Sequence, residues 1–68
     1  MYVIILTLSA EFLATVRAIA AELPQKYIDT NKVQELVFNP EVTEAEALHF
    51  VEGYIATGWY DKVELVRR

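Results

Sequence analysis

Tyr2-Val3-Ile4-Ile5-Leu6-Thr7-Leu8 decides how the rest of this sequence is read. The run holds no charge, no Gly and no Pro, and most of it is β-branched or aromatic. It is too short to span a membrane and has the character of a central strand covered on both faces. Alternation places Tyr2, Ile4, Leu6 and Leu8 on one side and Val3, Ile5 and Thr7 on the other. Helices packed against one face require only one of these sets to be apolar. The surplus on the second face, at Val3 and Ile5, points to a covering partner.

Immediately downstream, Ser9 is placed to cap a helix whose first turn holds Glu11, where the helix dipole favours a carboxylate. Leu8 and Leu13 occupy staple positions. Phe12, Val16, Ile19 and Leu23 recur at helical spacing with Leu13 and Ala20 beside them, and Pro24 ends the helix at or before Leu23. Gln25-Lys26-Tyr27-Ile28 is either a short strand or a loop, and Asp29-Thr30-Asn31-Lys32 has turn chemistry. Val33–Phe38 alternates as a strand, with Val33, Glu35 and Val37 opposite Gln34, Leu36 and Phe38. Asn39-Pro40 stops it.

Thr43-Glu44-Ala45-Glu46 is a capping box opening a second helix. Its spacing predicts burial of Ala47, Leu48, Val51, Tyr54 and Ile55, and exposure of Glu46, His49, Glu52 and Gly53. Gly58 suits a left-handed helix end, with Trp59 folding back on the last turn. Lys62–Val66 alternates as a closing strand. The order β-α-(β)-β-α-β predicts one α+β domain over residues 1–68, a two-layer, ferredoxin-like sandwich with two helices on one face of an antiparallel sheet. A three-stranded β-α-β-α-β arrangement is the alternative if residues 25–28 form a loop.

A chain of 68 residues with no Cys has neither disulfides nor thiolate metal sites to supplement a small core. Its hydrophobic content of 54% therefore favours a buried association surface. Net charge is −4 and unevenly spread: Val33 to Asp61 has no Lys or Arg, while Glu35, Glu41, Glu44, Glu46, Glu52 and Asp61 make it acidic. That balance disfavours nonspecific contact with nucleic acid or anionic membrane through this region. Met1 leads into the apolar run without a basic segment, and the expectation is a cytoplasmic protein with no membrane contact.

Three groups are candidate sites. His49 lies between Glu46 and Glu52 on one helical face, either as a metal or base site or as an exposed His in an acidic surface, and the second reading is preferred. Phe50, Tyr54, Trp59 and Tyr60 form an aromatic cluster, with Phe50 at the flank of the buried stripe and Trp59 and Tyr60 presented after the Gly cap. Aromatics of this kind anchor protein partners. The third group is the sheet face bearing Val3 and Ile5, which is too aliphatic and too poor in Lys and Arg for an RNA-stacking surface.

Catalysis finds little support: there is no Cys, no Gly-rich phosphate loop and no nucleophile beside the single His. No catalytic residue, metal or cofactor is expected. The sequence points instead to a non-enzymatic protein-binding module, a regulator, inhibitor or accessory subunit acting by occlusion or assembly. Its expected contacts are Val3, Ile5, Glu46, His49, Phe50, Glu52, Trp59 and Tyr60. The expected partners are a basic protein surface and a second copy of the chain. A narrower form is an acidic inhibitor, of phage or mobile-element type, aimed at a nucleic-acid-handling complex. Rival readings are nucleic-acid binding through Arg67, Arg68, Lys26 and Lys32, and a small dimeric enzyme with a pocket at Tyr54 or Tyr27.

Overall fold

The computed structural model describes residues 1–22 and 28–68. In chain order the elements are β1 (Tyr2–Leu8), α1 (Ala10–Glu22), β2 (Val33–Val37), α2 (Glu44–Thr57) and β3 (Tyr60–Arg67). The strands form one sheet in the order β2-β1-β3, with β1 central and antiparallel to both neighbours. The fold is thus α+β, with a three-stranded antiparallel sheet and two helices. Among the described residues the sheet thus has three strands, as in the alternative arrangement. The strand proposed at Gln25–Ile28 falls on residues 25–27, outside the described residues, and Ile28 itself is not in a strand.

Local chemistry sets the element boundaries. The Ser9 hydroxyl accepts from the Phe12 N–H at 3.1 Å, capping α1 one residue after β1 ends. At α2, Glu46 N–H donates to the Thr43 hydroxyl at 3.3 Å and Thr43 N–H donates to the Glu46 carboxylate at 3.2 Å, closing the capping box. Gly58 ends α2 in the left-handed region at φ 73°, and its N–H donates to the Ile55 carbonyl at 3.2 Å. Asx turns at Asp29 and Asn39 flank β2: each carboxamide or carboxylate oxygen accepts from the N–H two residues on.

The core is compact. Val3, Ile4, Leu6 and Leu8 of β1 are buried together with Leu13 of α1 and Ala47 of α2. Ile4 lies between Leu36 and Leu65, and Leu6 between Gln34 and Val63, on the face that the helices share. A register shift between Thr7 and Leu8 leaves Asp61 as an extra residue on β3. That bulge turns Tyr60 onto the Leu8 side of the sheet, although strict alternation would put it on the other. Tyr60 therefore packs inward against Phe12 and Tyr54.

Val3 corrects the expectation that its face lacks cover: it is 0% exposed. Two features account for this. Val37 and Val66 flank it in register on the neighbouring strands. Arg68, paired through the backbone with Met1, reaches Glu35, which lies opposite Ile5. The bidentate ion pair therefore spans β1 between Met1 and Ile5, over Val3. Ile5 is half-buried between Glu35 and Glu64. Charged side chains cover Val3, while Val33 and Val37 on the same face stay exposed.

Both helices do not pack equally. α2 lies along β3 and β1, whereas α1 is anchored at its start and makes only sparse contact with any strand. Ile19, predicted for the buried stripe, is 46% exposed. The chain is correspondingly extended, with a Cα radius of gyration of 13.1 Å against about 11 Å for a compact domain of this length.

In urea unfolding, Val3→Ala is expected to lower stability by about 2 kcal/mol, since it removes fully buried methyl groups. A loss below about 0.5 kcal/mol would contradict the cover assigned to Val3. Gly58→Ala should cost about 1–2 kcal/mol through backbone strain alone, because a Cβ there meets nothing within 4 Å.

Candidate functional site

Three of the exposed large apolar side chains, Leu48, Phe50 and Ile55, lie on α2. Ala47, Val51 and Tyr54 turn inward on it. At 3.6 residues per turn, Leu48 and Ile55 lie roughly 95° and 75° from the centre of that stripe. They are 44% and 60% exposed, not buried as their spacing predicted. On the inward stripe, Tyr54 meets Tyr60 of β3 edge-on at 5.7 Å. Two apolar flanks are left on the helix.

The first flank bears Phe50, Gly53, Tyr54 and Thr57. With His49 they line an open groove of about 290 Å³. Phe50 packs on Phe38 beyond the end of β2, with ring centroids 5.4 Å apart, yet remains 50% exposed. This is the flank position expected for it. His49 meets the edge of Phe50 at 6.4 Å. Thr57 Oγ1 donates to the Tyr54 carbonyl at 2.6 Å and accepts from the Trp59 N–H at 3.2 Å, so its hydroxyl serves the helix end.

The second flank bears Glu44, Leu48, Glu52 and Ile55, all exposed. An apolar pair is framed there by carboxylates, on the side of α2 away from Phe38. Sequence reasoning missed it, because Leu48 and Ile55 match the helical period as well as the buried residues do. Their β-strand neighbours, not their spacing, decide which apolar residues face in.

The remaining aromatics cluster at the far end of the sheet. Trp59 stacks on Phe12 with centroids 4.9 Å apart and planes 10° from parallel, and Phe12 meets Tyr60 edge-on at 5.7 Å. Trp59 both covers the core end and stays 50% exposed. Tyr60 was expected on a presented loop and is instead the half-buried first residue of β3. Burial, and secondarily the neighbouring Tyr54, raise its phenol above the ordinary value of 10.

Among the described residues, no group of three or more His, Asp or Glu side chains is placed to hold a metal ion. Glu46, one of the two carboxylates proposed around His49, is engaged by the capping box. Of the basic tail, Arg68 is tied to Glu35, which removes one free cation from a phosphate-binding surface. Lys62 pairs with Glu64 at 3.4 Å on the same face. No helix among the described residues is long and apolar enough to cross a membrane. Comparison with protein-family models, curated proteins and solved structures found no match to the chain.

The Glu35–Arg68 pair gives the surface an acid-sensitive contact. Its hydrogen bond and the guanidinium charge lower the Glu35 carboxyl below 4.5 and raise Arg68 in return. A carboxylate with a lowered folded-state value stabilises above its unfolded value, and that contribution disappears as pH falls through the folded value. The thermal midpoint should therefore fall on acidification below about pH 4.5, and Glu35→Gln should flatten that limb. Superimposable acid limbs for the two proteins would show that the pair contributes nothing.

Proposed function

We propose that this chain is a non-enzymatic protein-binding module, a regulator, inhibitor or accessory subunit, and that the Leu48–Ile55 flank of α2 is its docking surface. The observation that supports this most directly is the exposure of two large aliphatic side chains between Glu44 and Glu52 on a well-capped helix. An apolar centre with a charged rim is the anatomy of a protein interface. A partner of matching chemistry presents an apolar groove bordered by Lys or Arg, and the acidic rim speeds encounter and fixes orientation.

The charge pattern supports the same reading. The acids of residues 33–61 are unopposed by any Lys or Arg in that segment. Inhibition of a nucleic-acid-handling complex is a narrower form, in which these carboxylates occupy a basic groove. The ferredoxin-like reading of the fold belongs to this proposal too. It calls for a fourth strand beside β2, and the place of β1 between two antiparallel neighbours supports it.

The test is affinity purification of the tagged chain from its native host, alongside Leu48→Asp, Ile55→Asp and Lys62→Ala. A specific co-eluting protein should be retained by Lys62→Ala and lost with both α2 variants, with salt weakening the wild-type complex. Equal recovery with all four chains would remove the α2 flank from the interface.

A further inference from the structure

We propose that a second copy of this chain occupies the groove at His49, Phe50, Gly53, Tyr54 and Thr57, and that the element it inserts is α1. This flank is opposite the one assigned to a different protein, so the two proposals stand independently.

Three observations converge on it. The first is the excess of surface. The chain exposes 5005 Å², whereas a folded monomer of 7.8 kDa exposes about 4,400 Å². The difference of about 600 Å² approaches the roughly 800 Å² that each partner buries in a standard interface. The second is the pairing of shapes. α1 holds an apolar edge of Val16, Ile19 and Ala20 that its own sheet does not cover fully, and Ile19 is the most exposed large residue on it. The groove offers about 290 Å³ of apolar space along α2, room for the Ile19 side chain and its neighbours.

The third is Gly53. It lies in the interior of α2, where Gly costs about 1 kcal/mol relative to Ala. A Cβ added there meets nothing within 4 Å, so no contact within the described chain demands its absence. Close approach of another helix backbone does. Ile19 of the second copy sits over Gly53, and the contact is repeated by the twofold. Such an isologous arrangement closes at two chains.

Sedimentation of the full chain at micromolar concentration should give twice the 7.8 kDa chain mass. Ile19→Asp and Gly53→Leu should each weaken the dimer by about thirtyfold or more, while Ile55→Asp on the opposite flank leaves it unchanged. Gly53→Leu improves helix propensity, so retained helical circular dichroism separates lost association from lost folding. The absence of native Cys permits a direct placement test. Mixing Ile19→Cys with Gly53→Cys chains should give an interchain disulfide under mild oxidation. A wild-type monomer at high micromolar concentration, or a dimer indifferent to both groove variants, would overturn the proposal. So would no mixed disulfide, or an intrachain one in the doubly substituted chain, which would place α1 on its own groove.

Discussion

The structure depends on one strand being hydrogen-bonded from both sides. Among the described residues, β1 is the only strand with two neighbours, and its ladders continue past its own ends. Leu8 N–H reaches the Lys32 carbonyl and Ser9 N–H reaches the Trp59 carbonyl at one end. At the other, Phe38 N–H reaches Tyr2 and Arg68 N–H reaches Met1. With its backbone groups satisfied laterally, β1 can bury apolar side chains on both faces without orphaned donors. Most of the buried core residues belong to it. Each helix is fastened at a point set by this strand, α1 by Ser9 and α2 by the Tyr60 end of β3.

The two faces of the sheet solve their solvent problem differently. The helix side uses aromatic packing, a chain of contacts from Trp59 through Phe12 and Tyr60 to Tyr54. The other side uses charge. Glu35 and Glu64 border Ile5, Lys62 borders Thr7, and Arg68 crosses above Val3. Charged residues pointing from a sheet with exposed valines at positions 33 and 37 also discourage uncontrolled strand-to-strand association.

What could be read from the sequence was what local chemistry determines. The central strand, the Ser9 cap, the capping box at Thr43 and Glu46 and the left-handed Gly58 each follow from residues within one turn of one another. What could not be read depends on register between distant segments. Tyr60 turns inward because Asp61 is bulged against Thr7 and Leu8, and no alternation pattern marks which residue a bulge will take. Val3 is covered because Arg68 meets Glu35 across an intervening strand. Leu48 and Ile55 face out because the sheet under α2 accommodates only a narrow stripe. Of the candidate contacts, Phe50 lies at the half-exposed flank expected for it, whereas Val3 is buried and Tyr60 faces inward.

The pairing of β1 with β3 also has a temporal side. Tyr2 lies opposite Arg67, so β1 is completed by the strand farthest from it in sequence among those described. During synthesis the most apolar segment of the chain leaves the ribosome long before that partner exists. Of the described strands, β2 is the one available to it in the interval, through the shorter loop closure. A nascent β1–β2 pair with α1 beside it exposes one entire hydrogen-bonding edge of the future core. The sequence separation that gives the finished sheet its topology thus slows its folding relative to a chain whose strands pair in order.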